Sequence, residues 1–133
     1  MYGVPCPARG QIDLPIRRPD PRDLRREVGE GGESAVTEYA LLETREDCSL
    51  VRLRLLTGRT HQIRVHMQAL GCPLLGDRLY GSEASLARSA GLGQALQALH
   101  CSSLRFSHPL SGAPLHFTSL PDWPALNFFS FLS

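Results

Sequence analysis

Between Leu50 and Leu56 the chain alternates with a period of two, placing Val51, Leu53 and Leu55 on one side and Arg52 and Arg54 on the other. Such alternation reads as a half-buried strand. It stops at Thr57-Gly58, and a helical period takes over within two residues. Ile63, Met67 and Leu70 recur at i, i+4 and i+7, so the sequence predicts a helix over residues 60–70, stopped by Gly71 and Pro73. Upstream, Ala35 to Glu43 is rich in strand formers (Val36, Thr37, Tyr39), and the polar stretch Arg45–Ser49 makes the two runs an antiparallel hairpin. A hairpin feeding directly into an amphipathic helix constrains the fold more than any other feature of the chain.

The remaining segments fit around this unit. Pro5, Pro7 and Pro15 exclude a helix over residues 1–16 and disfavour a central strand, so the segment is expected to be extended. Residues 17–33 mix Arg17, Arg18, Arg22, Arg25 and Arg26 with acids, prolines and glycines, the pattern of a solvated, mobile loop. Gly91 and Gly93 divide residues 82–99 into two short helices. Ser102–Ser107 and Pro114–Ser119 flank His108-Pro109-Leu110-Ser111-Gly112 as a second hairpin, and an aromatic tail follows from Pro121 to Ser133. Hairpins dominate and strands do not alternate with helices, which predicts an α+β fold with a mixed, mostly antiparallel sheet flanked by helices.

At 133 residues the chain is one domain or part of one. No apolar run approaches a membrane span and Met1 opens no secretory signal, so a cytoplasmic protein without a membrane partner is expected. The net charge is only +1, yet every basic residue is arginine, which grips phosphate with a planar fork and stacks on bases. Cys6, Cys48, Cys72 and Cys101 are scattered without a C-x-x-C pair, so free thiols are expected and neither a disulfide framework nor a metal site.

The polar residues around the strand-to-helix junction are the candidates for chemistry. Arg59 lies at the helix start, where its fork joins the first amides in holding an anion. Arg64 lies about 140° around the helix from it, so the two cannot serve one face. It is placed to lean toward a phosphate or a neighbouring carboxylate. The plain alternative for each is a structural salt bridge, to Asp77 or to a loop acid. His61 and Gln62, beside Thr60, open the helix with groups able to read base edges or cap the backbone. Arg52 and Arg54 face out from the strand. His66 falls on another face and reads as a core or supporting histidine. His100 and His108 read as structural, and Asp77 reads as the tie of a tight turn at Gly76-Asp77 and Tyr80-Gly81.

These residues also carry a resemblance. Thr57-Gly58-Arg59-Thr60-His61-Gln62-Ile63-Arg64-Val65-His66-Met67, followed by Gly71-Cys72-Pro73-Leu74-Leu75-Gly76-Asp77-Arg78-Leu79-Tyr80-Gly81, resembles the RluA-like RNA pseudouridine synthases. That family reads T-G-R-T-H-Q-I-R-V-H-M and then G-x-P-I-L-G-D-x-x-Y-G, with Leu74 the one departure. Gly3 to Ile16 is similar to its G-x-P-x-x-x-x-G-x-I-x-x-P-I segment, and residues 98–112 to its A-L-H-A-x-x-L-x-F-x-H-P-x-x-G ending. The resemblance implies a mixed central sheet crossed by a cleft, and isomerisation of uridine to pseudouridine in rRNA or tRNA without cofactor or metal. It matches Arg59 to the partner of the nucleophilic aspartate, and Thr60, His61, Gln62, Arg64, Arg52 and Arg54 to RNA contacts.

The family's H-R-L-D-x-x-T-S-G motif, which holds the nucleophile, does not occur in this chain. Its active-site tyrosine is expected ahead of Met1, since Tyr2 is too close to Gly3, and neither Asp13 nor Asp77 is a substitute. Residues 1–121 are therefore expected to be the C-terminal part of a synthase domain, with 122–133 an unmatched tail and an N-terminal half missing. Two readings follow: a truncated synthase, inactive alone, or a non-catalytic RNA-binding remnant. A third, a cysteine- and histidine-based metal module, requires ligand spacing the chain does not offer.

Overall fold

The computed structural model describes residues 1–129. The hairpin forms as the alternation predicts: β4 (Val36–Arg45) pairs antiparallel with β5 (Cys48–Leu55) through a tight turn at Glu46-Asp47. The extended N-terminal segment adds β1 (Arg9–Asp13) to the other side of β4, giving the order β1-β4-β5. The proline-flanked strand is thus an edge strand, where missing amides are tolerated. Val51 and Leu53 of β5 face Ile12, Tyr39 and Met67 in the largest core cluster, and Leu55 runs out into solvent.

Helix α1 (Gln62–Ala69) lies across this sheet. Ile63, Met67 and Leu70 share the core-facing side as their spacing requires, and Met67 is completely buried. Burying such a side chain contributes about 1.5–3 kcal/mol. Gly71 ends the helix at φ 81°: its amide bonds to the Gln68 carbonyl and the Cys72 amide to that of Met67, the paired pattern of a left-handed glycine cap.

Two elements differ from the sequence expectation. The loop over 17–33 is tied: β2 (Ile16–Arg17) pairs with β3 (Glu27–Val28), and Arg17 bridges Glu27 at 2.7 Å. Residues 82–99 hold one helix, α2 (Glu83–Gly91), capped by the Ser82 side chain on the Ser85 amide. After Gly93 the chain is drawn off helically useful geometry by long-range bonds. The Ala98 amide reaches the Leu75 carbonyl, and the Leu96 backbone lies so close over Gly76 that a Cβ there would collide with it. The described part of the aromatic tail packs onto the rest of the chain. A 3-10 turn at Pro124–Phe128 sends Ala125 and Phe129 into a cluster with Cys48 and Leu75, while the tail's last residues, 130–133, lie outside the described part.

The second hairpin forms where expected, as β6 (Ser103–Ser107) with β7 (Pro114–Thr118). Every ladder among the described residues is antiparallel, so the fold is α+β with antiparallel sheets and two helices.

Candidate functional site

Two hydrogen-bond networks meet at the β5–α1 junction. The first is buried and uncharged. Gln62 sits beneath the helix start, where its Nε2 donates to the Val36 carbonyl at 3.0 Å and to Thr37 Oγ1 at 3.0 Å. Its Oε1 accepts from the Thr57 hydroxyl and from the Arg59 amide. Two donors and two acceptor sites are an amide's full capacity. Thr37 passes the chain on to His66 Nδ1 at 2.8 Å, and His66 Nε2 lies 2.9 Å from the Leu14 carbonyl. A carbonyl only accepts, so Nε2 carries the proton and the Thr37 hydroxyl donates to Nδ1. The network runs in one direction from Gln62 to Leu14 and holds α1 against β4 and β1. His66 is therefore the core histidine its face implied. Gln62, read as able to contact a base edge or to cap the backbone, takes the second course: it is a buried clip that accepts the Arg59 amide and has its hydrogen-bonding capacity filled.

The second network carries charge. Arg64 donates from Nε and Nη2 to the two carboxylate oxygens of Asp77 at 2.7 and 2.8 Å, and its guanidinium lies over the Tyr80 ring at 4.8 Å. Asp77 is fully buried and also accepts from the Leu79 and Tyr80 amides. Burial pushes its carboxyl up. The Arg64 fork, the Tyr80 amide, the Arg64 charge and the Leu79 amide together outweigh that, and its pKa falls below the usual carboxylate value. The turn-tying role read from sequence is present, and one of the two salt-bridge partners weighed for Arg64 is the one observed.

Tyr80 joins this pair to the surface. Its hydroxyl accepts the Arg26 amide at 2.8 Å and lies 2.8 Å from His61 Nδ1. Burial lowers the His61 pKa, and the charges of Arg64 and Arg26 lower it further against the opposing pull of Asp77. The Tyr80 hydroxyl and His61 Nδ1 share this hydrogen bond, with its direction set by the imidazole tautomer. His61 occupies the left-handed region at φ 57° and makes no capping bond, which is why α1 starts at Gln62 and not at Thr60. A non-glycine residue held there stores about 1–2 kcal/mol.

Arg59 lies apart from the buried pair. Its Nε donates to the Ser34 carbonyl at 2.9 Å and its Nη1 reaches Glu33 at 3.3 Å, on the rim of a cleft that Thr60 also lines. Arg52 and Arg54 stand exposed on the outer face of β5, Arg54 opposite Glu38 at 3.6 Å, and neither lines that cleft. His108 Nδ1 accepts the Leu110 and Ser111 amides and so builds its turn. His100 packs edge-on to Trp123 with a buried, unpartnered Nε2. All four cysteines are free, Cys6 and Cys101 exposed and Cys48 and Cys72 buried. Among the described residues no three His, Cys, Asp or Glu side chains converge as a metal site, and no helix is long and apolar enough to cross a membrane. Tyr80 was missed by sequence reasoning, although the Tyr80-Gly81 pair had been singled out as a turn.

An antiparallel hairpin thus delivers arginine, histidine and tyrosine side chains to one junction. Residues 3–69 match the family model described as RNA pseudouridylate synthase, and the chain belongs to that family. It is 43% identical over 123 residues to the ribosomal large subunit pseudouridine synthase D of Vibrio parahaemolyticus, covering 86% of this chain and 38% of that protein. An uncharacterized RNA pseudouridine synthase of Chloroflexus aurantiacus is 47% identical over 114 residues, covering 85% of this chain and 34% of its own length. The solved structure of human RNA Pseudouridylate Synthase Domain Containing 1 superposes with a TM-score of 0.74 at 30% identity, over 91% of this chain and 51% of that one. The chain thus spans well under half the length of these two curated relatives.

Proposed function

We propose that this chain is part of an enzyme that isomerises uridine to pseudouridine in structured RNA, rRNA or tRNA, and that it supplies the guanidinium which orients the nucleophile. In the reaction the base leaves the stack, an aspartate attacks, and the N1–C1′ bond breaks. The uracil turns, C5 bonds to C1′, and the C5 proton is lost as N1 gains one. The observation that carries the reading is the Arg64 fork, locked on buried Asp77 and roofed by Tyr80. A carboxylate partner works by fixing attack geometry, and Arg64 is held by the Asp77 fork and the Tyr80 ring face, with no bond to its Nη1 among the described residues. The geometry therefore favours Arg64 for the role expected of Arg59, whose own fork is anchored to a carbonyl and an exposed acid.

The test is a chimera in which this chain replaces its aligned segment in the Vibrio parahaemolyticus relative, assayed for pseudouridine in its RNA. Turnover is expected. Arg64→Ala should abolish most of it with RNA binding retained, and Arg59→Ala should mainly weaken binding. The reverse pattern would return the carboxylate role to Arg59, and an inactive but folded chimera would favour the RNA-binding remnant.

A further inference from the structure

The cleft beside Arg59 is not used by the chemistry above. It opens between the β2–β3 ladder and the start of α1, has a volume of about 390 Å³, and is lined by Arg17, Arg18, Arg26 and Arg59. Two of these charges are balanced, Arg17 by Glu27 and Arg59 by Glu33. Arg18 and Arg26 form no salt bridge among the described residues; Asp20, which feels the charge of Arg18, is bridged by Arg22. Arg18 donates from Nε to the Asp23 carbonyl, and Arg26 from Nη1 to the carbonyls of Leu24 and Arg25. Both are tethered by neutral oxygens at one edge only, so the other edge of each guanidinium keeps free donors. Four like charges converge on one concave surface with two acids to offset them, which leaves an excess of about two positive charges.

We propose that this cleft seats the phosphodiester backbone of the RNA strand that enters the site, a proposal that rests on the reading of the chain as RNA-modifying. Planar forks fixed at one edge suit phosphate oxygens, which accept paired hydrogen bonds. Position supports the same occupant. The backbone amide of Arg26 is pinned to the Tyr80 hydroxyl, the ring over which Arg64 lies, and Thr60 in the cleft wall precedes His61. A strand whose phosphate rests here is registered against the Arg64–Tyr80–His61 surface through one shared tyrosine. Phosphate contacts set register without reading sequence, so the seat positions the strand and leaves base choice to other groups.

The experiment is a fluorescence-anisotropy titration of the full 133-residue chain with a labelled single-stranded oligouridylate, repeated from 50 to 200 mM salt. Each phosphate neutralised on a single strand adds about 0.7 to the slope of log affinity against log salt. Arg18→Gln with Arg26→Gln should lower that slope by roughly 0.7 to 1.4. Arg18→Lys with Arg26→Lys keeps the charge and should keep the slope while weakening binding. Arg105→Gln, on the exposed β6–β7 hairpin, should change neither. If the double glutamine variant loses its thermal transition, Arg18→Gln alone reads the slope, since its side chain touches only one carbonyl. Binding whose slope ignores these substitutions, or falls equally with Arg105→Gln, overturns the seat while leaving the RNA reading standing. No measurable binding by the parent chain overturns both. Displacement by inorganic phosphate beyond the effect of matched chloride, with no slope change in the variants, would make it a site for free phosphate instead.

Discussion

Asp77→Asn is the most incisive perturbation of this fold. The carboxylate has no exposed surface, and Arg64, its partner, is 14% exposed in its side chain. Asparagine keeps an oxygen for the Leu79 and Tyr80 amides but turns a second donor toward the guanidinium, so one edge of the fork faces hydrogen against hydrogen. Removing one member of a buried pair costs about 3–5 kcal/mol, and the residual exposure of Arg64 places this case near about 3 kcal/mol. For a chain of this length that is a fall of roughly 10 °C in Tm. Arg64→Met should be costly alone, since it leaves Asp77 buried and uncompensated. The double variant should be less destabilised than the sum of the singles by 1 kcal/mol or more, because removing both charges removes the mismatch. Urea denaturation of the four proteins closes the cycle. The pH dependence has a fixed sign. The folded carboxyl titrates below its unfolded value of about 3.9, so its stabilisation is full above that pH and is lost as pH falls through the folded value. The gap between parent and Asp77→Asn should accordingly narrow in acid. Strict additivity, or a loss under 1 kcal/mol, would refute the picture of a coupled buried pair.

The purified 133-residue chain alone should form no pseudouridine in rRNA or tRNA, because positioning groups do not attack; formation detected by carbodiimide modification and primer extension would show that Asp13 or Asp77 has been misread. His61→Gly should stay within about 1 kcal/mol of the parent in urea denaturation, as relief of the left-handed backbone offsets the lost Tyr80 contact and glycine's added chain freedom. His61→Val keeps the strain and loses the contact, so it should fall by about 2 kcal/mol, and equal stability of the two variants would remove the strain from the account.

The sequence made the scaffold legible wherever one face of an element is buried. Alternation at 50–56 and the Ile63, Met67 and Leu70 spacing located β5 and the core side of α1 because burial imposes those periods directly. Where tertiary contacts decide, local pattern was silent. Gln62 looked like a surface amide at a helix start, yet its position between Val36, Thr37 and Arg59 depends on β4 passing beneath it. The second helix expected before Leu99 gives way to bonds with residues over twenty positions away in sequence, from Ala98 to Leu75 and from Gln94 to Ala125. The tail carried the composition for burial, but nothing local says that Phe129 meets Cys48. At the site, the Arg64–Asp77 pairing was one of two options the residues offered, whereas the hub role of Tyr80 needs Arg26 and His61 brought to it from fifty-four and nineteen residues away.

The two kinds of arginine at this junction are built for different tasks, and their surroundings explain why one cannot stand in for the other. An apolar pair in place of Arg64 and Asp77 would serve stability about as well, since desolvation offsets much of a buried pair's attraction. What apolar residues cannot provide is a guanidinium whose plane is fixed by a carboxylate fork and a ring face while one edge is left to donate. Such a group holds another carboxylate in place without adding much net charge. The cleft arginines have the opposite balance: exposed or half-buried, two of them tethered by neutral carbonyls alone, and collectively short of negative charge. They attract an anion strongly but fix its geometry loosely, which suits a backbone phosphate that must slide into register before a base is committed. Tyr80 touches both sets, so on the two proposals an anion in the cleft and an acid on Arg64 would share one rigid reference point.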